Sequence, residues 1–155
     1  MNAREASDLL LISIGAMSPL EGFMGQAAYA SVLESMRLPS GDVWSLPVTL
    51  SVSDESIARR ATPFAAALRT PEGEIAGVMS VEELYTPDKN HEASRALGTA
   101  DAAHPGVQYL ASPGATNAGG RVWMIEREKQ GPFGDRNLDP AETRGKKKKK
   151  KWDKV

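Results

Sequence analysis

With 155 residues, the chain is long enough for one domain with its own core, since a chain of this size buries about 68–70% of the surface that it exposes when unfolded. It contains no cysteine, which excludes disulfides and thiolate metal sites and suits a reducing compartment. No apolar run approaches the roughly 20 residues that span a membrane, and Leu9–Ile12 is too short for a secretory signal. We therefore expect a soluble cytoplasmic protein without a membrane partner.

The formal net charge of −1 conceals two parts of opposite charge. Residues 1–145 hold 12 Lys and Arg against 19 Asp and Glu, a net charge of −7, whereas residues 146–155 hold 7 against 1, a net charge of +6. The first part contains ten arginines and two lysines, so the lysine run Lys146–Lys151 departs from its composition. We expect residues 1–139 to form the domain and residues 140–155 to form a lysine-rich tail, either a linker to a further domain or a segment foreign to the rest.

The first predicted helix follows a capping-box pattern. Ser18 can cap a helix, Pro19 suits the first helical position, and Glu21 completes the S-x-x-E box. Apolar residues then recur at i, i+3, i+4 and i+7, the spacing of one buried helix face. They are Tyr29, Val32, Leu33 and Met36.

Strand signals follow this helix. Apolar and polar residues alternate over Leu46–Val52, which predicts a half-buried strand. A turn is predicted between Ala65–Leu68 and Ile75–Val81, because Pro71 presets φ and Gly73 tolerates the backbone conformation in which the turn ends. The two segments therefore predict a β-hairpin.

The remaining elements are short. Asp88 can cap a helix that Gly98 ends, a loop interrupted by the apolar run Val107–Leu110 follows, and Arg121–Ile125 predicts one more strand. No internal repeat is visible. Short strands with a few helices predict a compact α+β domain rather than a solenoid or a βαβ array.

Two histidines are candidates for acid–base or ligand chemistry, because imidazole titrates near neutrality. His104 precedes Pro105 and Gly106, and we expect its ring to hydrogen-bond a neighbouring backbone group and fix the turn. His91 is expected on an exposed helix face, and no metal-ligand spacing connects the two histidines. Neither is assigned as a ligand.

Glycines and paired carboxylates receive structural interpretations as well. Gly114 and Gly119–Gly120 match no phosphate-binding pattern and are expected in turns that need positive φ. Glu82–Glu83 and the pair Glu126 and Glu128 are typical of a solvated strand edge. No serine lies in a G-x-S-x-G elbow. We therefore assign no catalytic, cofactor-binding or metal-ligating residue to this chain.

Several motifs occur in a fixed order along the chain. The longest is G-T-x-D-x-x-H-P-G-V, which stands intact at Gly98–Val107. The set resembles the N-terminal domain of ATP sulfurylase (sulfate adenylyltransferase). The other matching segments are Leu9–Ile12, Ser18–Met24, Asp42–Leu50, Leu68–Gly73, Tyr85–Lys89, Gly119–Val122 and Pro140–Arg144.

This resemblance implies a PUA-like fold, a small β-barrel with peripheral short helices. It also implies a reaction of ATP with sulfate that forms adenylyl sulfate and pyrophosphate, with Mg-ATP and sulfate as substrates of the full-length enzyme. The family's Q-x-R-N-P, H-x-x-H and G-R-D catalytic motifs are absent from this sequence, and Trp152–Val155 resembles the residues that lead into the first of them. The resemblance thus implies a non-catalytic domain with no cofactor of its own.

The resemblance also implies a partner. We expect the domain to pack against the catalytic domain of an ATP sulfurylase, in cis or in trans, or to self-associate, through a face near Ser18–Met24 and Gly98–Val107. An alternative is a free-standing PUA-like module that binds RNA through its basic tail. The acidic body counts against specific nucleic-acid binding, since most such domains present a basic face.

Overall fold

The computed structural model describes residues 1–52, 57, 59–111, 114–125 and 137–150, and the fold is given for these residues. Among them, five short helices accompany a six-stranded antiparallel sheet, and none of these helices is long and apolar enough to span a membrane. The elements in chain order are α1 (Ala3–Ser13), β1 (Gly22–Phe23), α2 (Gln26–Ser35), β2 (Leu50–Val52), β3 (Phe64–Arg69), β4 (Ile75–Val81), β5 (Glu83–Tyr85), α3 (Lys89–Glu92, continued by a π-helical turn over Ala93–Leu97), α4 (Pro105–Ala111), β6 (Thr116–Met124) and α5 (Pro140–Lys150).

Strand β6 is the centre of the sheet, because it pairs with β1, β2, β4 and β5. Its first half lies between β2 and β5, with Ala118 opposite both Leu50 and Leu84. Its second half lies between β1 and β4, and β3 pairs with the other edge of β4. The α+β prediction is confirmed, and over the described strands the sheet does not close into a barrel.

The core joins the inner face of the sheet to α1 and α2. Leu9 of α1 and Met79 of β4 have no exposed surface. Full burial of a side chain of this size stabilises the fold by about 1.5–3 kcal/mol. The other buried apolar residues of this cluster are Ile12, Phe23, Met24, Tyr29, Val32, Leu33, Leu38, Val48, Leu50, Leu68, Val81, Tyr85, Ala118 and Val122.

The helix start predicted at Ser18 is wrong. The chain turns there and then enters β1, whose Gly22 pairs with β6. The capping box lies instead at the beginning of α1, where the Asn2 side chain accepts from the Glu5 backbone N–H at 2.9 Å and Glu5 accepts from the Asn2 N–H at 2.8 Å. The S-x-x-E pattern forms no helix at Ser18 because the residues that follow it pair with the sheet, and this pairing overrides a local capping pattern. The pattern Asn2-x-x-Glu5, which precedes an apolar run, would have predicted the start of α1 correctly.

The next two predictions hold in part. Tyr29, Val32 and Leu33 are buried on α2 as predicted, but Met36 is exposed because it ends the helix in a left-handed conformation with φ 53°. The strand predicted over Leu46–Val52 is limited to β2, since pairing with β6 begins only at Leu50.

The hairpin and the helix after Asp88 are confirmed. The turn between β3 and β4 has Gly73 at φ 92°, and the Gly73 N–H donates to the Thr70 carbonyl at 3.0 Å. The Asp88 side chain accepts from the His91 backbone N–H, and Gly98 ends the helical segment at φ 71°. The apolar run Val107–Leu110 lies within α4.

Gly119 and Gly120 lie within β6 and not in turns, which corrects the sequence interpretation and lengthens the strand predicted from Arg121. A Cβ on Gly119 would lie 2.5 Å from the Gly25 Cα, and one on Gly120 would collide with the Ser80 carbonyl oxygen. Gly120 also has φ 147°. The two glycines therefore let neighbouring backbones approach β6 closely.

We expect Asn2→Ala to lower the free energy of unfolding by about 0.5–2 kcal/mol, because it removes the cap of α1. Ser18→Ala removes no helix cap, only the hydrogen bonds that its exposed hydroxyl donates to the Gly15 carbonyl and accepts from Arg144, and should cost less than Asn2→Ala. Asn2→Asp, which keeps a capping oxygen, is the matched control. Urea unfolding of the three variants provides the measurement, and a larger loss for Ser18→Ala than for Asn2→Ala would contradict the assignment.

Two glycine substitutions separate close packing from backbone strain. Gly120→Ala should destabilise the protein by about 2–5 kcal/mol, because the new methyl group meets the β4 backbone and φ is unfavourable. Gly73→Ala introduces strain alone, since nothing lies within 4 Å of its Cβ position, and should cost about 1–2 kcal/mol. Equal losses for the two variants in thermal unfolding would show that the close approach is not what fixes β6.

Candidate docking surface

The two histidines lie on separate elements and have structural contacts. His104 is exposed before α4, and its Nδ1 accepts from the Gly106 N–H at 3.1 Å, as predicted for a residue that fixes the turn. His91 is exposed on α3, and its Nε2 lies 2.9 Å from Glu34 Oε1. Among the residues with described positions, no group of three or more His, Cys, Asp or Glu side chains could hold a metal ion.

The two glutamates at the beginning of β5 lie in different environments. Glu82 is exposed, as a solvated edge requires. Glu83 is half-buried, and its Oε2 accepts from the Gln26 backbone N–H at 3.0 Å, at the start of a helix whose own N-cap provides no side-chain acceptor. A carboxylate at a helix N-terminus is favourable, so Glu83 has a structural role that sequence reasoning missed. Glu126 and Glu128 lie outside the described residues.

Helix α5 is attached to the turn that follows α1. The Ala141 backbone N–H donates to the Ile14 carbonyl at 3.1 Å. The Arg144 guanidinium donates to the Gly15 carbonyl at 2.6 Å and to Ser18 Oγ at 2.8 Å. Hydrogen bonds from a charged donor are stronger than neutral ones, so these contacts fix where α5 begins.

The outer face of the sheet beside α5 is apolar and exposed. Val78 of β4 is directly opposite Trp123 of β6. Just beyond the end of β6, the Ile125 N–H donates to the Ala76 carbonyl at 3.1 Å, so the pairing continues and places Ile125 on the same face as Trp123. Val78, Trp123 and Ile125 are 37%, 53% and 60% exposed, respectively. Ala67 extends the face onto β3, opposite Val78. Large contiguous apolar patches on a protein surface mark interaction sites, so this face is a candidate for docking.

Polar groups connect the apolar face to α5. Arg121 forms an exposed ion pair with Glu21, beside Trp123 on β6. Two adjoining grooves of about 330 and 360 Å³ share Trp123 in their walls, and the second also reaches Ala141 and Arg144. We name the outer sheet face (Ala67, Val78, Trp123 and Ile125) together with Glu21, Arg121 and the first turn of α5 the docking surface.

The docking face expected from the sequence stays a prediction. It overlaps the candidate docking surface at Glu21, with Ser18 at its border, whereas Phe23 and Met24 of the same segment are buried in the core. Gly98–Val107 forms a turn and the start of α4. Sequence reasoning missed Trp123 and Ile125, although their period-two spacing around buried Val122 was available as a signal.

A polar cleft lies between α1, α3 and the beginning of β6, with Arg4, Asp8, Lys89, Glu92 and Asn117 in its wall. Burial raises the pKa of Glu92 above its ordinary value, and the hydrogen bond from Tyr29 opposes this shift. Burial likewise raises the pKa of Asp8. The cleft volume is about 40 Å³. Sites for small molecules usually enclose about 300–1,000 Å³, so we assign no nucleotide to it.

We expect Glu92 to make the stability depend on pH. Its folded pKa lies above the unfolded value of 4.5, so the unfolded state loses its proton first and stability falls as pH rises from about 4.5 through the folded pKa. Glu92→Gln should remove this loss, whereas Tyr29→Phe, which removes the 2.8 Å hydrogen bond to the carboxylate, should enlarge it. Urea unfolding at several pH values tests this, and parallel curves for Glu92→Gln and the parent would disprove it.

Comparison with known proteins identifies the fold family. A family model of the PUA-like domain matches residues 1–127. This match confirms the PUA-like assignment made from the motifs.

Curated relatives and a solved structure extend the comparison. The chain is 46% identical to the sulfate adenylyltransferase of Symbiobacterium thermophilum and 41% identical to that of Trichormus variabilis, in each case over 98% of this chain. It spans only 38% and 39% of the lengths of these two relatives. A solved structure, the hexameric APS kinase from Thiobacillus denitrificans, matches the fold with a TM-score of 0.59 and 23% identity over 96% of this chain and 25% of that one. The chain therefore belongs to the PUA-like domain family and matches the PUA-like N-terminal part of sulfate adenylyltransferases.

Proposed function

We propose that this chain is the non-catalytic N-terminal domain of a sulfate adenylyltransferase, and that it supports a catalytic nucleotidyltransferase domain by packing against it. The similarity to sulfate adenylyltransferases over about two fifths of their length supports this proposal. The proposal places the protein in sulfate assimilation in the cytoplasm, a reducing compartment that a chain without cysteine suits.

The reaction that the proposal assigns to the whole enzyme is the attack of a sulfate oxygen on the α-phosphorus of Mg-ATP, which releases pyrophosphate and leaves adenylyl sulfate. Such a reaction depends on positioning and charge neutralisation rather than on a covalent intermediate. The substrates would bind in the catalytic domain. This chain would contribute by holding that domain in place.

The docking surface is the observation that carries the proposal. Trp123 and Ile125 are more than half exposed on a sheet face, where burial of an apolar side chain would be favourable. The same surface includes the first turn of α5, which Arg144 fixes on the domain. An apolar face bordered by a fixed helix and by the ion pair of Arg121 is suited to an interface between domains, which combines apolar and polar contacts.

Two alternatives use the same fold differently. A free-standing PUA-like module would bind RNA through its basic tail, and a remnant domain would use the docking surface for self-association. The net charge of −7 over residues 1–145 argues against recognition of RNA by this part of the chain. Exposed apolar residues fit self-association as well as a catalytic partner, so a test must separate these two.

A chimaeric enzyme provides that test. Replacing the matching region of the Symbiobacterium thermophilum enzyme with this chain should preserve the formation of adenylyl sulfate, because the two sequences are 46% identical. Trp123→Ser with Ile125→Ser should lower the activity and the melting temperature of the chimaera, because it removes apolar groups that the proposed interface would bury. A loss of about 1.4 kcal/mol at the interface would lower the docking equilibrium constant about tenfold. Val43→Ser, which changes an exposed apolar residue outside the docking surface, is the matched control.

The isolated chain provides the second readout. We expect it to release no pyrophosphate from ATP and sulfate. Turnover by the purified 155-residue chain would contradict the assignment of catalysis to another domain and would make His104 and Arg121 the first residues to mutate. An inactive chimaera, together with a parent chain that dimerises through Trp123, would favour the remnant domain.

A further inference from the structure

Helix α5 has two ends with different chemistry. Its first turn is held on the domain through Ala141 and Arg144. The Glu142 carboxylate also accepts from the Asp139 N–H at 2.7 Å, which satisfies a donor at the helix start. Beyond Gly145 the described part of the helix consists of lysine alone, from Lys146 to Lys150. The helix therefore has a first turn that is held on the domain and a C-terminal part that consists of closely spaced cations.

The geometry of a helix distributes these cations around its axis. Successive residues rise about 1.5 Å and turn about 100°, so consecutive lysines point in all directions. Lys146, Lys148 and Lys149 are exposed, and Lys147 is half-buried. Because the cations lie on all sides of the helix, the segment presents positive charge to a polyanion that approaches from any direction.

The segment also lacks the features of a membrane-binding helix. Interfacial helices bury an apolar face in the lipid headgroup region, and Lys146–Lys150 has no apolar residue on any side. The phosphates of a nucleic acid need no such face, because binding is driven by the release of condensed counterions. A nucleic-acid backbone is therefore the polyanion that the segment fits better.

Like charges within the segment make its helical form sensitive to a ligand. Lys146 lies one helical turn from Lys149 and Lys150, and Lys147 lies one turn from Lys150. Like-charged pairs at i, i+3 and i, i+4 destabilise a helix, whereas cations near its C-terminus interact favourably with the helix dipole. A bound polyanion would reduce the repulsion between the lysines and leave their favourable interaction with the helix dipole in place. Binding is therefore expected to increase the helicity of α5.

We propose that Lys146–Lys150 binds the phosphate backbone of nucleic acid without base selectivity, and that binding stabilises the helical form of α5. The acidic body does not read bases, since its net charge of −7 repels phosphates. This binding is separate from the docking surface, so a failure here leaves the proposed function untouched. A failure of the chimaera likewise leaves this proposal untouched.

The test uses the full chain and a labelled single-stranded oligothymidylate of about 20 nucleotides, which has no base pairs and offers stacking and phosphates alone. Five neutralised phosphates predict a slope of about −3.5 in a plot of log K against log salt concentration, or a loss of about 100-fold in affinity between about 50 and 200 mM NaCl. Oligoadenylate of the same length should bind within about threefold of oligothymidylate. Ellipticity at 222 nm should become more negative as the oligonucleotide is added.

Charge-removing variants assign the binding to the segment. A variant that combines Lys146→Gln, Lys147→Gln, Lys148→Gln, Lys149→Gln and Lys150→Gln keeps the helix propensity and should lose at least about tenfold in affinity together with the change in ellipticity. Arg37→Gln with Arg69→Gln removes exposed cations from the body and should leave the affinity unchanged. Unchanged thermal unfolding of the glutamine variant serves as the check on its fold.

Three results would overturn the proposal. The first is undiminished binding by the glutamine variant, and the second is binding that does not depend on salt. The third is tighter binding to phosphatidylserine vesicles than to oligothymidylate at the same salt concentration, which would assign the segment to an anionic membrane surface instead.

Discussion

Strand β6 organises the fold through its backbone pairing. This strand pairs with four of the other described strands, and it can do so because Gly119 and Gly120 have no side chains where neighbouring backbones approach. The β1 and β2 segments are short, so their positions depend on β6 rather than on their own propensity. The packing of α1 and α2 against the inner face follows from that arrangement.

The same strand also determines what reaches the surface. Because side chains alternate along a strand, burial of Val122 directs its neighbours Arg121 and Trp123 outward. The outer face then combines an ion pair with exposed apolar groups next to α5. A single strand thus serves the core on one side and the docking surface on the other.

Helix α5 separates two kinds of interaction along its length. Near its beginning, Arg144 makes short, directional hydrogen bonds that depend on geometry. Near its end, the lysines provide long-range attraction that depends on ionic strength and not on a particular partner group. We propose that the first kind of contact positions a neighbouring domain and that the second holds a polyanion without restricting its sequence.

The ordered motifs were enough to identify the family, and local signals were enough to predict some of the elements. The β3–β4 hairpin and the helix capped by Asp88 depend on turn and capping chemistry within a few residues, and both were predictable. The segment from Ser18 to Gly22 was not, because its pairing with β6 involves residues about a hundred positions away and overrides the local capping pattern. The docking surface likewise could not be predicted from local patterns. The exposure of Trp123 depends on which elements cover the sheet, and that is a property of the tertiary structure.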